Sequence, residues 1–181
     1  MARPLEMPYD EASPRTPADA RGEACVRAEL DVQREHPTAL IIRSSCFIGG
    51  LHDRTVFNEA LMKLARAEPV AVPPYSMSPT YIVDLAQAAL NLLIDAEQGV
   101  WHVVNRGAVT WRAMLERAAS QLDISTHSLS ELESAHSPGR NFVLTSQRGF
   151  ITPPLEDALA RFARSAHESL AQMRRAGRAN S

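Results

Sequence analysis

"TALIIRSSCFIGG", Thr38 to Gly50, is the stretch on which the fold turns. Ala39, Leu40, Ile41 and Ile42 follow one another with no polar alternation. A strand with one wet face alternates, whereas a strand covered on both faces of a parallel sheet runs apolar without a break. The stretch therefore predicts a short strand, buried on both faces and hydrogen-bonded on both sides. Gly49 and Gly50 end it, as glycines often end the first strand of a nucleotide-binding fold. A dinucleotide fingerprint needs G-x-G-x-x-G between strand and helix, so that backbone N–H groups can approach the pyrophosphate. No third glycine stands at that spacing, and no Walker loop occurs. Gly49-Gly50 reads as a turn after a strand, and the sequence shows no dinucleotide pyrophosphate site.

Upstream, Pro4, Pro8, Pro14 and Pro17 make residues 1–16 a flexible Pro-rich N-terminus. A helix is expected from about Pro17 to Glu35, with Ala20, Ala24, Val26, Ala28 and Leu30 as a modest apolar stripe and Pro37 ending it. Downstream, "RTVFNEALMKLARAE" places Val56, Phe57, Ala60, Leu61, Leu64 and Ala65 at helical spacing. "VAV" and "TYIV" read as short strands around the rigid loop "PPYSMSP". Asp84 is expected to cap a helix reaching Ala96, closed by Gly99, and "VWHVV" is a strand. Thr110 is expected to cap "WRAMLERAASQLD". "SLSELES" reads as a short helical piece and "HSPGRN" as a turn. Pro153 and Pro154 open a final helix from about Leu155 to Arg175, whose closing arginines suit the helix dipole. The alternation of helices and strands argues an α/β fold. Residues 17–165 form one domain, and residues 166–181 a helical basic tail.

With 181 residues, a net charge of -2 and 22% charged residues, the chain has no global field for nucleic acid or an acidic membrane. The basic end "RRAGRANS" reads as a solvated terminus rather than a nucleic-acid arm. No apolar run reaches the roughly 18 residues of a membrane span, and no signal peptide is visible. Cys25 and Cys46 have no CxxC spacing and read as free thiols of a reducing, cytoplasmic compartment. The six histidines lack metal-ligand spacing, so no metal site is expected. Cys46 paired with a distant histidine is a poor nucleophile candidate beside a core or surface thiol. G-x-S-x-G is absent.

Five segments carry a resemblance by their order: "ALIIRSSCFIGG", "VFNEALMKLA", "PTYIVDLAQAALNLL", "GVWHVVNRGAVTWRAMLERAA" and "PPLEDALARF". Together, over roughly Glu11 to Phe162, they resemble the C-terminal, substrate-binding half of the dTDP-4-dehydrorhamnose reductase family of extended short-chain dehydrogenases. The resemblance implies a partial doubly wound, Rossmann-like sheet with a smaller helical substrate-binding part. It makes "TALIIRSS" a late strand. The first βαβ units, with the loop that holds NADPH or NADH, would lie before Met1. It places Ser44, Ser45 and Cys46 near the nicotinamide, although the family usually has Trp at the Cys46 position. On the substrate side it assigns Phe57 (preceded by Val56 where the family has Asn) and Pro79-Thr80, while Pro74 to Met77 replace the family's D-Q-x-G. Arg140 is a candidate diphosphate contact through its bidentate guanidinium, or a solvated loop arginine. His102 and Asn105 read as structural hydrogen-bonding residues.

The family's catalytic Tyr, and the Lys four residues later, fall on Arg15 and Asp19 when the chain is aligned on Gly22-Glu23. The Tyr relays a proton and the Lys lowers its pKa; neither replacement can do so. No catalytic residue is assigned. The parent reaction implied is NAD(P)H-dependent reduction of a 4-keto sugar nucleotide. The alternatives are a regulatory or binding module, as in the regulatory subunit of methionine adenosyltransferase, which the same resemblance reaches, or a piece of a longer fused enzyme. A homo-oligomer, or a partner covering an exposed sheet edge, is also expected.

Overall fold

The computed structural model describes residues 7–17, 19–50, 55–132 and 141–179, with side chains as far as Glu168. Helix α1 (Ala20–Glu35) starts at Asp19, whose carboxylate accepts the Gly22 N–H at 2.8 Å. Strand β1 (Leu40–Arg43) follows, then β2 (Phe47–Ile48) and helix α2 (Val56–Ala65), capped by the Thr55 hydroxyl on the Asn58 N–H at 3.1 Å. Strands β3 (Val70–Val72), β4 (Ser76–Met77) and β5 (Thr80–Tyr81) lead into α3 (Ile82–Ile94). Strands β6 (Gly99–His102) and β7 (Val109–Thr110) precede α4 (Trp111–Gln121), where Thr110 caps the Ala113 N–H at 3.1 Å. Strands β8 (Leu129–Glu131) and β9 (Asn141–Phe142) and the long helix α5 (Leu155–Ala179) complete the order.

The strands form small, mostly parallel sheets: β1 with β6, β2 with β5, and β3 with β8. In the three-stranded sheet, β4 runs antiparallel to β7 and parallel to β9. This is the α/β class that the alternation of elements predicts. The main core is a helical lobe. Phe57 and Leu61 of α2, Met114 and Leu115 of α4, and Leu159 and Phe162 of α5 are all fully buried. Phe57 and Phe162 meet edge to face, with centroids 5.3 Å apart. A smaller cluster joins Ala88 and Leu92 of α3 to Trp101 of β6 and Val103.

Five expectations are corrected. β1 is not buried on both faces: all four of its residues are half-exposed, and β6 is its one strand neighbour among the described residues. In "SLSELES", Ser128 to Leu132 are not helical; Leu129 to Glu131 instead pair in parallel with the Val70–Val72 strand, a tertiary partner that local spacing does not reveal, and the last two residues lie outside the described ones. Asp84 does not cap α3, which starts two residues earlier and has Tyr81 at its N-cap with no side-chain cap bond. Gly99 does not close that helix; Ala96 takes the left-handed turn at φ 53°, and Gly99 opens β6. Residues 7–13 are not loose. Tyr9 exchanges backbone bonds of 2.8 Å with Val143 and Thr145, and Glu11 reaches the end of β6.

Candidate functional site

In open α/β sheets, ligands sit beyond the carboxyl ends of the strands. Ser44, Ser45 and Cys46 follow the carboxyl end of β1, each half-buried. The Ser44 hydroxyl lies 2.9 Å from the Val103 carbonyl and 2.8 Å from Thr80 Oγ1. A carbonyl can only accept, so Ser44's single proton goes to Val103 and Thr80 supplies the proton of the other bond. Burial pushes the Cys46 thiol up to about 12, which leaves it protonated and unreactive near neutral pH. The candidate cofactor-side residues thus form a hydrogen-bonded wall with no acid or base ready to titrate.

Thr80 is fully buried and donates its N–H to the Cys46 carbonyl at 2.8 Å. The buried Pro79 gives its carbonyl to the Asn105 N–H at 3.1 Å. Asn105 is fully buried and satisfies several backbone groups at once. Its Oδ1 accepts the Tyr81 N–H at 2.7 Å, and its Nδ2 donates to Asp84 Oδ2 at 2.6 Å and to the Pro153 carbonyl at 2.9 Å. Arg161 of α5 clasps the Asp84 carboxylate with two bonds of 2.6 Å and lies over the Tyr81 ring at 5.1 Å. The bond to Asp84 drives the guanidinium pKa further up, so this charge is permanent. The Pro-Thr, Asp-Leu-Ala and Asn-x-Gly signatures therefore converge on one buried lock between β5, α3 and α5. This fits the structural reading of Asn105 and gives Asp84 a task that the sequence did not suggest.

His102 is buried, with Nδ1 2.9 Å from the Thr145 carbonyl and Nε2 3.4 Å from Arg43 Nη1. Nδ1 therefore carries the proton and Nε2 faces the guanidinium as an acceptor. Arg43 binds both oxygens of Glu29 at 2.6 and 2.8 Å, and Arg15 joins the same carboxylate at 3.3 Å. Burial pushes the Glu11 carboxyl up, but donations from Ser146 Oγ, Gln147 N–H and His102 N–H outweigh it and hold the pKa below 4.5. Arg15 and Asp19, the positions that the resemblance sets against a Tyr and a Lys, both precede the first residue of α1. They do not share a helical face, and each already serves a structural bond.

The substrate-side residues do not gather on an open surface. Phe57 and Thr80 are fully buried, so neither exposes an atom to a ligand; Phe57 packs on Phe162. Arg140 lies outside the described residues. An open concavity among the described residues lies on the other side of α2, where a cleft of about 260 Å³ runs between α2 and β3. Val56, Ala60 and Val70 line it, Tyr75 and Trp111 form aromatic walls, and Lys63 and Glu59 stand in it as charges. Tyr75 is fixed edge-on against Phe142, with centroids 4.8 Å apart. Sequence reasoning missed Tyr75, Trp111 and Lys63. The signal was an aromatic after Pro73-Pro74 and another at the first turn of a Thr-capped helix. Among the described residues no cluster could hold a metal ion, and no helix is long and apolar enough to cross a membrane.

Helices alternating with mostly parallel-paired strands, with a Pro-Thr lock buried between β5, α3 and α5, define an α/β protein of the Rossmann-like class. The family model described as the RmlD substrate binding domain matches residues 4–141, and the chain belongs to that family. Among solved structures, dTDP-4-dehydrorhamnose reductase from Bacillus anthracis str. Ames, in complex with NADP, superposes with a TM-score of 0.75 at 22% identity, over 86% of this chain and 58% of that one. The ortholog from Clostridium acetobutylicum gives 0.75 at 19%, over 87% of this chain and 59% of that one. A UDP-N-acetylglucosamine 4-epimerase from Methanobrevibacter ruminantium, in complex with UDP-N-acetylmuramic acid, gives 0.71 at 14%, over 93% and 58%. At these identities the likeness is one of fold. The chain spans 58–59% of the length of these structures. No curated protein matches it significantly.

Proposed function

We propose that the chain is a sugar-nucleotide-binding domain of the dTDP-4-dehydrorhamnose reductase type, and that by itself it is not the catalyst of the parent reduction. The cleft between α2 and β3 carries this reading. Its aromatic pair, Tyr75 and Trp111, suits a flat nucleobase, and Lys63 suits the phosphate that follows the base. At about 260 Å³ it lies just under the roughly 300–1,000 Å³ of whole-ligand sites. It fits the base end of a sugar nucleotide, with the sugar continuing outside. Tyr75 is held by Phe142 before any ligand arrives, which lowers the ordering cost of binding. Arg140 is kept as a proposed diphosphate contact.

The non-catalytic half of the proposal rests on Arg15 and Asp19. One is paired with Glu29 and the other caps α1, and neither can relay a proton to a sugar carbonyl. NADPH or NADH, where bound, supplies the hydride. Of the residues proposed beside it, Ser44 is already hydrogen-bonded and Cys46 is held protonated, so they fit a wall for the nicotinamide and not a proton relay. The loss of the Tyr and Lys also favours the second reading, a binding module on the reductase scaffold.

Calorimetric titration with dTDP and a dTDP-sugar tests the proposal. Saturable binding is expected, weakened about tenfold or more by Tyr75→Ala and by Lys63→Glu. Quenching of tryptophan fluorescence should disappear in Trp111→Phe while the calorimetric signal remains. The reading fails if no saturation occurs by about 1 mM, or if binding ignores Tyr75→Ala and Lys63→Glu.

A further inference from the structure

α3 is covered on one side and bare on the other. Asp84, Ala88 and Leu92 are buried, and the last two pack with Trp101 and Val103. The opposite face carries Val83, Ala86, Leu90, Leu93 and Ile94, all exposed. Leu93 keeps 63% of its surface and Ile94 80%. The one charged residue of α3 is Asp84, which lies on the covered side, clasped by Arg161. Other helices wear charge where they meet water, such as Asp31 with Arg34 on α1 and Arg112 with Glu116 on α4. A contiguous apolar face without charge marks a surface that another molecule covers.

The spacing of the bare face says what fits it. Val83, Ala86, Leu90 and Leu93 follow one another at steps of 3, 4 and 3 residues, the seam of a two-helix contact. That seam is symmetric about Ala88. A two-fold rotation there lays α3 on a second α3 running antiparallel, with Val83 opposite Leu93 and Leu90 opposite Ala86. Leu90 of each copy then fills the hollow over the small Ala86 of the other, as a knob enters a hole. The helix ends agree with this direction. α3 has no side-chain cap at its N-terminus and no basic residue in its last turn, and Asp95 at its C-cap is exposed. Antiparallel packing sets each Asp95 beside the positive N-terminal end of the other helix, where an acid is stabilised. Parallel packing would set Asp95 against Asp95 and Ala86 against Ala86, with like charges together and a gap in the seam.

We propose that the outer face of α3 is a self-association surface, on which a second copy of this chain docks antiparallel about a two-fold axis near Ala88. The surface shares no residue with the cleft between α2 and β3 and does not depend on the ligand proposed there. With five apolar side chains from each copy, the contact is smaller than a standard interface, so the dimer is weak, with a dissociation constant on the order of 10 μM.

Sedimentation velocity on the full chain tests this. The native chain should be mainly dimeric at about 200 μM and mainly monomeric at about 1 μM. Leu90→Glu puts two carboxylates beside the axis and should weaken association at least about thirtyfold, with the helical circular dichroism retained. Ile94→Lys, on the same face, should weaken it as well, whereas Leu90→Met keeps the seam apolar and should stay within about threefold of the native chain. Cross-linking reads the direction. In a Cys25→Ser background, a mixture of Val83→Cys and Leu93→Cys copies should form a disulfide-linked pair under mild oxidation, and Val83→Cys copies alone should not. The proposal is overturned by a native chain that stays monomeric at about 200 μM, or by a dimer indifferent to Leu90→Glu and Ile94→Lys. Val83→Cys copies that link to one another, or a mixture that does not link, would overturn it too.

Discussion

The helical lobe and the β1–β6 region are built from the same residue types but are closed to different degrees. In the first, Phe57, Leu61, Met114, Leu115, Leu159 and Phe162 have no exposed surface. In the second, Trp101 and Val103 are buried, yet Leu40, Ile42 and Leu85 are only partly covered and α1 buries nothing. On the outer side of α3, Leu90, Leu93 and Ile94 stand exposed. A helix that is apolar on several sides is designed to be covered on several sides. One lobe is thus closed among the described residues, while the other leaves apolar side chains uncovered. The cleft belongs to the first lobe, so the candidate binding surface stands on the better-packed part.

The largest test of that contrast is a pair of core truncations. Phe162→Ala should cost about 3–5 kcal/mol in urea unfolding, because nothing can refill a fully buried ring site. Ile42→Ala should cost about 1–2 kcal/mol, because its side chain is already partly wet. Equal losses would break the contrast. Next comes the joint between β5, α3 and α5. Arg161→Ala leaves the buried Asp84 carboxylate without its guanidinium, at a cost of about 3 kcal/mol. Adding Asp84→Asn should recover part of the loss, and a double-mutant cycle measures the coupling.

Glu11→Gln should cost about 1–2 kcal/mol at neutral pH, since the carboxylate accepts from Ser146, Gln147 and His102. The pH dependence follows from a folded pKa below the ordinary 4.5. The contribution is fully present above that ordinary value and is lost as pH falls through the folded pKa. Stabilities of the native chain and Glu11→Gln should therefore converge in acid. If the gap stays constant with pH, the carboxylate charge is not what holds residues 7–13. The smallest effect is chemical. Ellman's reagent should titrate the exposed Cys25 in the native chain, and the half-buried Cys46 only after denaturation. Two fast thiols would show that the β1–β2 turn opens.

Much of this architecture was legible. Thr110 announced α4 and Pro153-Pro154 announced α5, because caps and prolines act through the local backbone. The apolar run at Ala39 to Ile42 announced a parallel-sheet strand, but not its half-exposure, because how far a strand is covered depends on packing that its own residues do not encode. Leu129 to Glu131 and Asp84 were misread for another reason. A three-residue strand is decided by its partner β3, and the Asp84 carboxylate by an arginine 77 residues away. The site was less legible than the fold. Phe57 and Thr80 look like ligand contacts by pattern, but the fold buries both. Tyr75, Trp111 and Lys63 meet only through the packing of α2, β3 and α4, so no local pattern marks them as a set.

Hydrogen exchange with and without a saturating dTDP-sugar tests the central claim most directly, because it asks which lobe holds the ligand. Added protection should fall on α2 and on Val70 to Val72, with Leu40 to Arg43 unchanged. Protection gained at β1 and Ser44 to Cys46 with none at the cleft, or no change anywhere under saturating ligand, would contradict it.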